Sequence, residues 1–246
     1  MTEMNRPSRL TLLAAGAGLM AASGALQAEV SGNAGLVSQY IFRGGVEDNR
    51  TAFQGGLDYS HGNGLYAGTW FSTLGDGPDY YADPAANEVD LYGGYSGTAG
   101  ELGYDFGLTY YYYTGDATDD NSVPEGSASV SYGPATLGVS VALDTAAWTA
   151  AGDTYLSASL EQPLPEDFTF SVSAGYYLYA DDTENDDGSI STPKEQDGAF
   201  RDATVSLSHP LAATGAEMSI NYTVGGETRD ESDLDDHLWA GASLTF

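Results

Sequence analysis

The sequence predicts an all-β chain folded as a 12-stranded antiparallel up-and-down transmembrane β-barrel. Three observations carry that expectation. Apolar and polar residues alternate with a period of two along most of the chain, which is the pattern of strands with one apolar face. The segments between alternating runs are short after the even-numbered runs and mostly long and acidic after the odd-numbered ones. Outer-membrane barrels sort their connections in this way, with short periplasmic turns and longer outer loops. Aromatic residues gather toward both ends of the runs, where two membrane interfaces would lie.

The elements follow in chain order. Arg6 and Arg9 precede an apolar stretch from Leu10 to Ala22, and small residues lead to Ala28. Residues 1–28 therefore read as a cleaved signal peptide, which leaves 29–246 as the barrel. Twelve alternating runs fill that remainder, at 30–43, 51–60, 65–74, 87–96, 102–114, 126–132, 136–145, 153–161, 168–180, 200–208, 217–226 and 237–246. In the fifth, Leu102, Tyr104, Phe106, Leu108, Tyr110 and Tyr112 alternate with small or polar neighbours that begin Gly103, Asp105, Gly107 and Thr109. The count is even, as single-chain bacterial barrels require. Tyr40, Phe42, Phe53, Phe71, Tyr110 and Tyr112 are expected on the outer girdle. Tyr59, Tyr95, Tyr104, Tyr132, Phe168 and Phe246 are expected on the periplasmic one. The last run places Leu238, Ala240, Ala242, Leu244 and Phe246 on one face, similar to the signal that barrels present to their insertion machinery.

Composition narrows the function. The 246 residues include 36 Asp plus Glu, 7 Lys plus Arg and no Cys, for a formal charge of -29. Such an acidic chain is not expected to bind nucleic acid through a basic patch, and it has neither a disulfide scaffold nor a thiolate site. The mean hydropathy of -0.26 excludes a bundle of membrane helices. It does not exclude a barrel, whose apolar half is hidden in alternation.

Residues 31–44 (SGNAGLVSQYIFRG), 53–59 (FQGGLDY), 65–70 (LYAGTW) and 87–95 (NEVDLYGGY) resemble the opening of the TorF-type porins, a family of exported proteobacterial proteins. The resemblance implies an outer-membrane barrel. It implies no substrate and no catalytic residues.

Function must then be sought on the inward face, where the alternation places Arg43, Asp58, Glu88, Asp90, Asp105, Asp144 and Asp202. Carboxylates in a wet lumen attract cations and repel anions. The expectation is a channel for passive diffusion of small solutes, cation-preferring or neutral, with Arg43 paired to Glu88 or Asp90. Its partners would be outer-membrane lipid, the insertion machinery and a small solute. The runner-up is a narrow or plugged barrel with a structural or surface-interaction role, and a soluble β-sandwich is a third reading. A lipid hydrolase would need a histidine beside a nucleophile, whereas His61 and His209 fall in expected turns and His237 opens the last run. The acidic stretch from Asp181 to Gly188 resembles half a calcium loop. Aligning Gly188 with the invariant glycine puts Thr183 first and Lys194 twelfth, so the EF-hand pattern is absent. No phosphate loop, dinucleotide fingerprint or zinc cluster appears, and no cofactor or metal is expected.

Overall fold

Residues 28–75, 86–114, 121–181, 193–211 and 214–246 are described by a computed structural model. The expected signal peptide up to residue 27 lies outside them, as do parts of the long loops. Twelve of the alternating runs form strands that close on one another: β1 (Glu29–Val37), β4 (Ala52–Ser60), β5 (Leu65–Thr73), β6 (Asn87–Ala99), β7 (Leu102–Tyr113), β8 (Val123–Tyr132), β9 (Ala135–Ala142), β10 (Thr154–Pro163), β11 (Thr169–Leu178), β12 (Gly198–Pro210), β13 (Ala216–Gly225) and β14 (His237–Thr245). Each pairs antiparallel with its sequence neighbours, and β1 closes the wall against β14. Closure leaves no edge of the wall unpaired, as a sheet in contact with lipid would require.

The side-chain period of two assigns the faces. Leu57, Leu91, Phe106, Leu108, Val130, Leu137, Ile220 and Leu238 stand out from the wall, and each is at least half exposed. Gln54, Ser72, Glu88, Asp90, Asp105, Glu125, Asp202, Ser219, Asn221 and Thr223 point inward and are buried. An apolar exterior around a polar interior is the reverse of a soluble sandwich, and it suits lipid outside. Twelve strands spaced about 4.8 Å apart and tilted about 40° give a backbone radius of about 12 Å. A lumen of that width can be crossed by side chains from a single inserted segment.

Such a segment exists, and it corrects the first expected run. The strand expected over 30–43 leaves the wall after Val37. Tyr40–Phe42 (β2) and Gly45–Asp48 (β3) then form a separate two-stranded hairpin. Arg43 and Gly44 make its turn with φ of 46° and 77°, the left-handed pair that a tight two-residue hairpin demands. Tyr40 and Phe42 therefore do not join the outer girdle. Tyr40 is buried against Trp70, with ring centroids 5.6 Å apart, and Phe42 packs on Tyr111 and Trp148 at 5.9 and 6.5 Å. Ser38 and Gln39, two polar residues in succession, mark the departure, but Tyr40 and Phe42 resume the parity of Leu36, so the run reads on past it.

Candidate functional site

The hairpin crosses the lumen. It leaves the wall between β1 and β4, yet its turn reaches β8, β10, β11 and β12. Around the wall, β8 and β10 each lie five strands from β1 by opposite routes. Both Arg43 Nη atoms donate to Glu125 of β8 at 2.8 Å, and Nη1 also donates to the Tyr177 hydroxyl at 2.9 Å. The guanidinium lies 4.4 Å from the centroid of the Tyr155 ring. The expected pairing of Arg43 with Glu88 or Asp90 is thus replaced by a two-pronged pair with Glu125, because the hairpin carries Arg43 across to the far wall. From that wall, Arg201 Nε donates to the Arg43 carbonyl at 2.8 Å. Arg201 is the extra residue of a β-bulge, since Gly175 and Tyr176 pair with Asp202 and Phe200, and a bulge re-aims a side chain.

A second segment thickens the plug. Trp148, between β9 and β10, packs edge-on to Tyr111 at 5.9 Å, and its indole N–H donates to the Asn121 carbonyl at 3.0 Å. Behind it, Arg229 Nη1 donates to Asp153 Oδ2 at 2.7 Å, with both side chains buried. Asp153 also accepts from the amides of Ala150 and Ala180, each at 2.9 Å. Above the wall, Lys194 bonds Asp197 and Asp181 at 2.9 and 3.0 Å. Those bonds, Asp197's first, hold its pKa above the ordinary lysine value.

The other expected residues fall as follows. Asp58 accepts from the Tyr92 hydroxyl and from Asn33 Nδ2, the latter at 3.4 Å. Asp105 accepts from Tyr66 at 3.0 Å and Asp202 from Tyr155 at 2.8 Å. Glu88 and Asp90 are each 1% exposed on the inner face of β6, and Glu88 accepts from Tyr113 at 3.5 Å. Asp144 differs: β9 ends at Ala142, and Asp144 sits in an exposed bend where its carboxylate accepts from the Thr145 amide at 2.8 Å. His61 accepts from the Asn63 amide at 3.3 Å in the β4–β5 turn. The His209 ring packs at a tilt against Phe168, with centroids 4.5 Å apart, and its Nε2 lies 3.0 Å from the Glu166 carbonyl.

The strand registers reveal an arrangement that residue-by-residue reading missed. Partners across β5 and β6 lead from Asp58 to Thr109 of β7, and Asp105 lies four residues nearer the short-turn end. The same step leads from Asp105 through Ser129 and Gly138 to Ser157, four residues above Glu161. It then runs from Glu161 through Ser171 and Ser206 to Asn221, four residues above Glu217. From Glu217 it passes Ser243 and Gly35 to Gln54, four residues above Asp58. The path closes on itself. Asp58, Asp105, Glu161 and Glu217 therefore share one depth at quarter-turn intervals, all facing inward near the short-turn end. Alternation alone could have found Glu161 and Glu217, since Leu160 and Met218 beside them face outward.

The bases lie at the opposite end. Among the described residues, Arg43, Arg50, Lys194, Arg201 and Arg229 are the Lys and Arg side chains, and all belong to the long-loop half. The lumen thus has a plugged, mixed-charge half and a half lined by carboxylates.

Solved structures share this architecture. The KdgM porin is 9% identical with a TM-score of 0.51, over 88% of this chain and 99% of that one. The NanC porin is 13% identical with a TM-score of 0.50, over 88% and 98%. An outer-membrane channel from Pseudomonas putida F1 is 8% identical with a TM-score of 0.50, over 91% and 96%. At these identities the likeness is one of fold. No curated protein sequence matches the chain. A family model described as a bacterial protein of unknown function (Gcw_chp) matches residues 21–244, so the chain belongs to the Gcw_chp family.

Proposed function

We propose that this chain is an outer-membrane channel, reached by export through the periplasm, that passes small solutes by diffusion and prefers cations. The observation that carries the reading is the four-carboxylate ring of Asp58, Asp105, Glu161 and Glu217 in a half of the lumen without Lys or Arg among the described residues. A ring of like charge in a wet channel concentrates counter-ions and repels co-ions. Glu88, Asp90 and Asp202 line the other half with Arg43, and Asp144 stands at the mouth. The porin fold of the structural neighbours and the resemblance to TorF-type porins support the same reading, as does the apolar outer face for lipid contact. The final strand, which ends at Phe246, would engage the insertion machinery. KdgM has been solved with a disordered oligogalacturonate, a polyanion that this carboxylate-lined half would repel.

Reversal potentials across a planar bilayer in a salt gradient test the proposal. Cation preference is expected, and anion preference in the wild type would sink it. A second reading, a closed barrel with a structural or surface role, is favoured by the hairpin across the lumen, and it predicts no conductance at all.

A further inference from the structure

The wall changes character at its outer rim, where the hairpin rejoins it. On the outward parity of β4, β5 and β6, the apolar side chains end at Phe53, Phe71 and Val89. Two residues nearer the long loops, the same parity carries Thr51, Thr73 and Asn87. Thr73 stands opposite Asn87 in the register, and its hydroxyl accepts from the Phe53 amide at 3.0 Å. These three polar residues line a cavity of about 450 Å³ together with Asp48, Arg50 and Gly75.

Arg50 is fixed in this cavity by its neighbours. The buried Asp48 accepts from the amides of Arg50 and Gly75 at 2.9 and 2.8 Å. Its carboxylate comes no closer than 3.8 Å to the guanidinium, at Nε, and the Arg50 side chain remains 56% exposed. The guanidinium lies over Gly75, where a Cβ would collide with it. Among the described residues no other base is so open. Arg43, Lys194 and Arg229 are far less exposed and held in ion pairs, and Arg201 turns to the Arg43 carbonyl. An exposed guanidinium flanked by hydroxyls, directly above outward aromatic rings, matches a ligand with an anionic head and apolar tails. Phosphate suits the head, because Arg offers it paired N–H donors of matching geometry, and a basic pocket at a membrane rim is a headgroup site. We propose that this rim pocket binds a phosphorylated glycolipid of the outer leaflet, with phosphate on Arg50 and Thr73 and acyl chains along Phe53 and Phe71. The inference rests on the outer-membrane reading for the presence of the lipid, and it requires no open lumen.

The experiment titrates the detergent-folded barrel with diphosphoryl lipid A and with the same lipid stripped of its phosphates, and counts bound lipid by native mass spectrometry. The wild type should bind the phosphorylated lipid at least about tenfold more tightly, the worth of one charge-assisted contact. Arg50→Gln should remove that advantage and Arg50→Lys only part of it, while neither should change binding of the stripped lipid. Heat-shifted gel mobility checks that each variant is folded, and the comparison of the two lipids on the wild type needs no variant. Equal binding of both lipids by the wild type, or undiminished binding of the phosphorylated lipid by folded Arg50→Gln, would overturn the site. Displacement of lipid by an equal concentration of inorganic phosphate would assign the pocket to a free anion and overturn the lipid. Binding as expected in a barrel that never conducts would support the site and defeat the channel reading. Binding as expected by a chain that fractionates away from the outer membrane would support the pocket and defeat the outer-membrane reading.

Discussion

At the scale of single residues, the ion pairs hold what strand pairing cannot. Arg229 and Asp153 are 3% and 2% exposed and tie the β13–β14 loop to the segment between β9 and β10. Removing one partner of a buried pair strands the other, which costs about 3–5 kcal/mol, whereas replacing both with apolar residues can be nearly neutral. Arg229→Met should therefore destabilise the barrel by about that amount, and adding Asp153→Leu should recover much of the loss. Asp153 also accepts from Ala150 and Ala180, so recovery should stop short of the wild type. Urea unfolding in detergent measures both; a single-variant cost below about 1 kcal/mol would contradict the buried pair. Such pairs were illegible in the sequence because their partners are far apart in loops, where no period applies. The inward carboxylates were legible, since Asp58, Glu88, Asp90, Asp105 and Asp202 alternate with apolar or small residues on the outer face. Asp144 failed by the same rule, because β9 ends before reaching it.

At the scale of elements, twelve strands were readable because alternation and connection length are both written into the chain. The hairpin was not. Tyr40 and Phe42 continue the parity of Leu36, and an aromatic ring satisfies the pattern equally well against lipid or inside a plug. Between β5 and β6 the wall uses a second device, again hidden by the pattern. Tyr66 stands opposite Gly94, and Tyr92 opposite Gly68, so each ring lies across the other strand where a side chain is missing. A Cβ at Gly68 would meet the Tyr92 ring at 2.5 Å. Laid down in this way, Tyr92 and Tyr66 reach Asp58 and Asp105, which fixes half of the carboxylate ring. Gly68→Val should lift Tyr92 off the wall, break its bond to Asp58 and cost about 1–3 kcal/mol by overpacking. Thermal unfolding monitored by gel mobility would show a lowered transition. An unchanged transition would mean that the ring does not need its glycine.

For the whole molecule, the charge of -29 matters less than its distribution along the barrel axis. The described bases sit at the long-loop end, and the other end carries the ring of Asp58, Asp105, Glu161 and Glu217, whose members are related by one repeated step in register. That repetition has a consequence that a random scatter of acids would not share. Each carboxylate faces the axis from the same depth, so an ion passing through the proposed channel would feel four nearly equivalent sources of potential. Single neutralisations, Asp58→Asn, Asp105→Asn, Glu161→Gln and Glu217→Gln, should each lower the cation-over-anion permeability ratio by a similar factor. The fourfold variant should bring the ratio close to one. The drop should shrink as salt is raised, because at about 1 M the screening length falls to about 3 Å, well below the lumen radius. Reversal potentials at two salt concentrations read all of this. If one residue carried the whole effect, the ring would be an accident of register, and the preference would have to be sought at the plugged end instead.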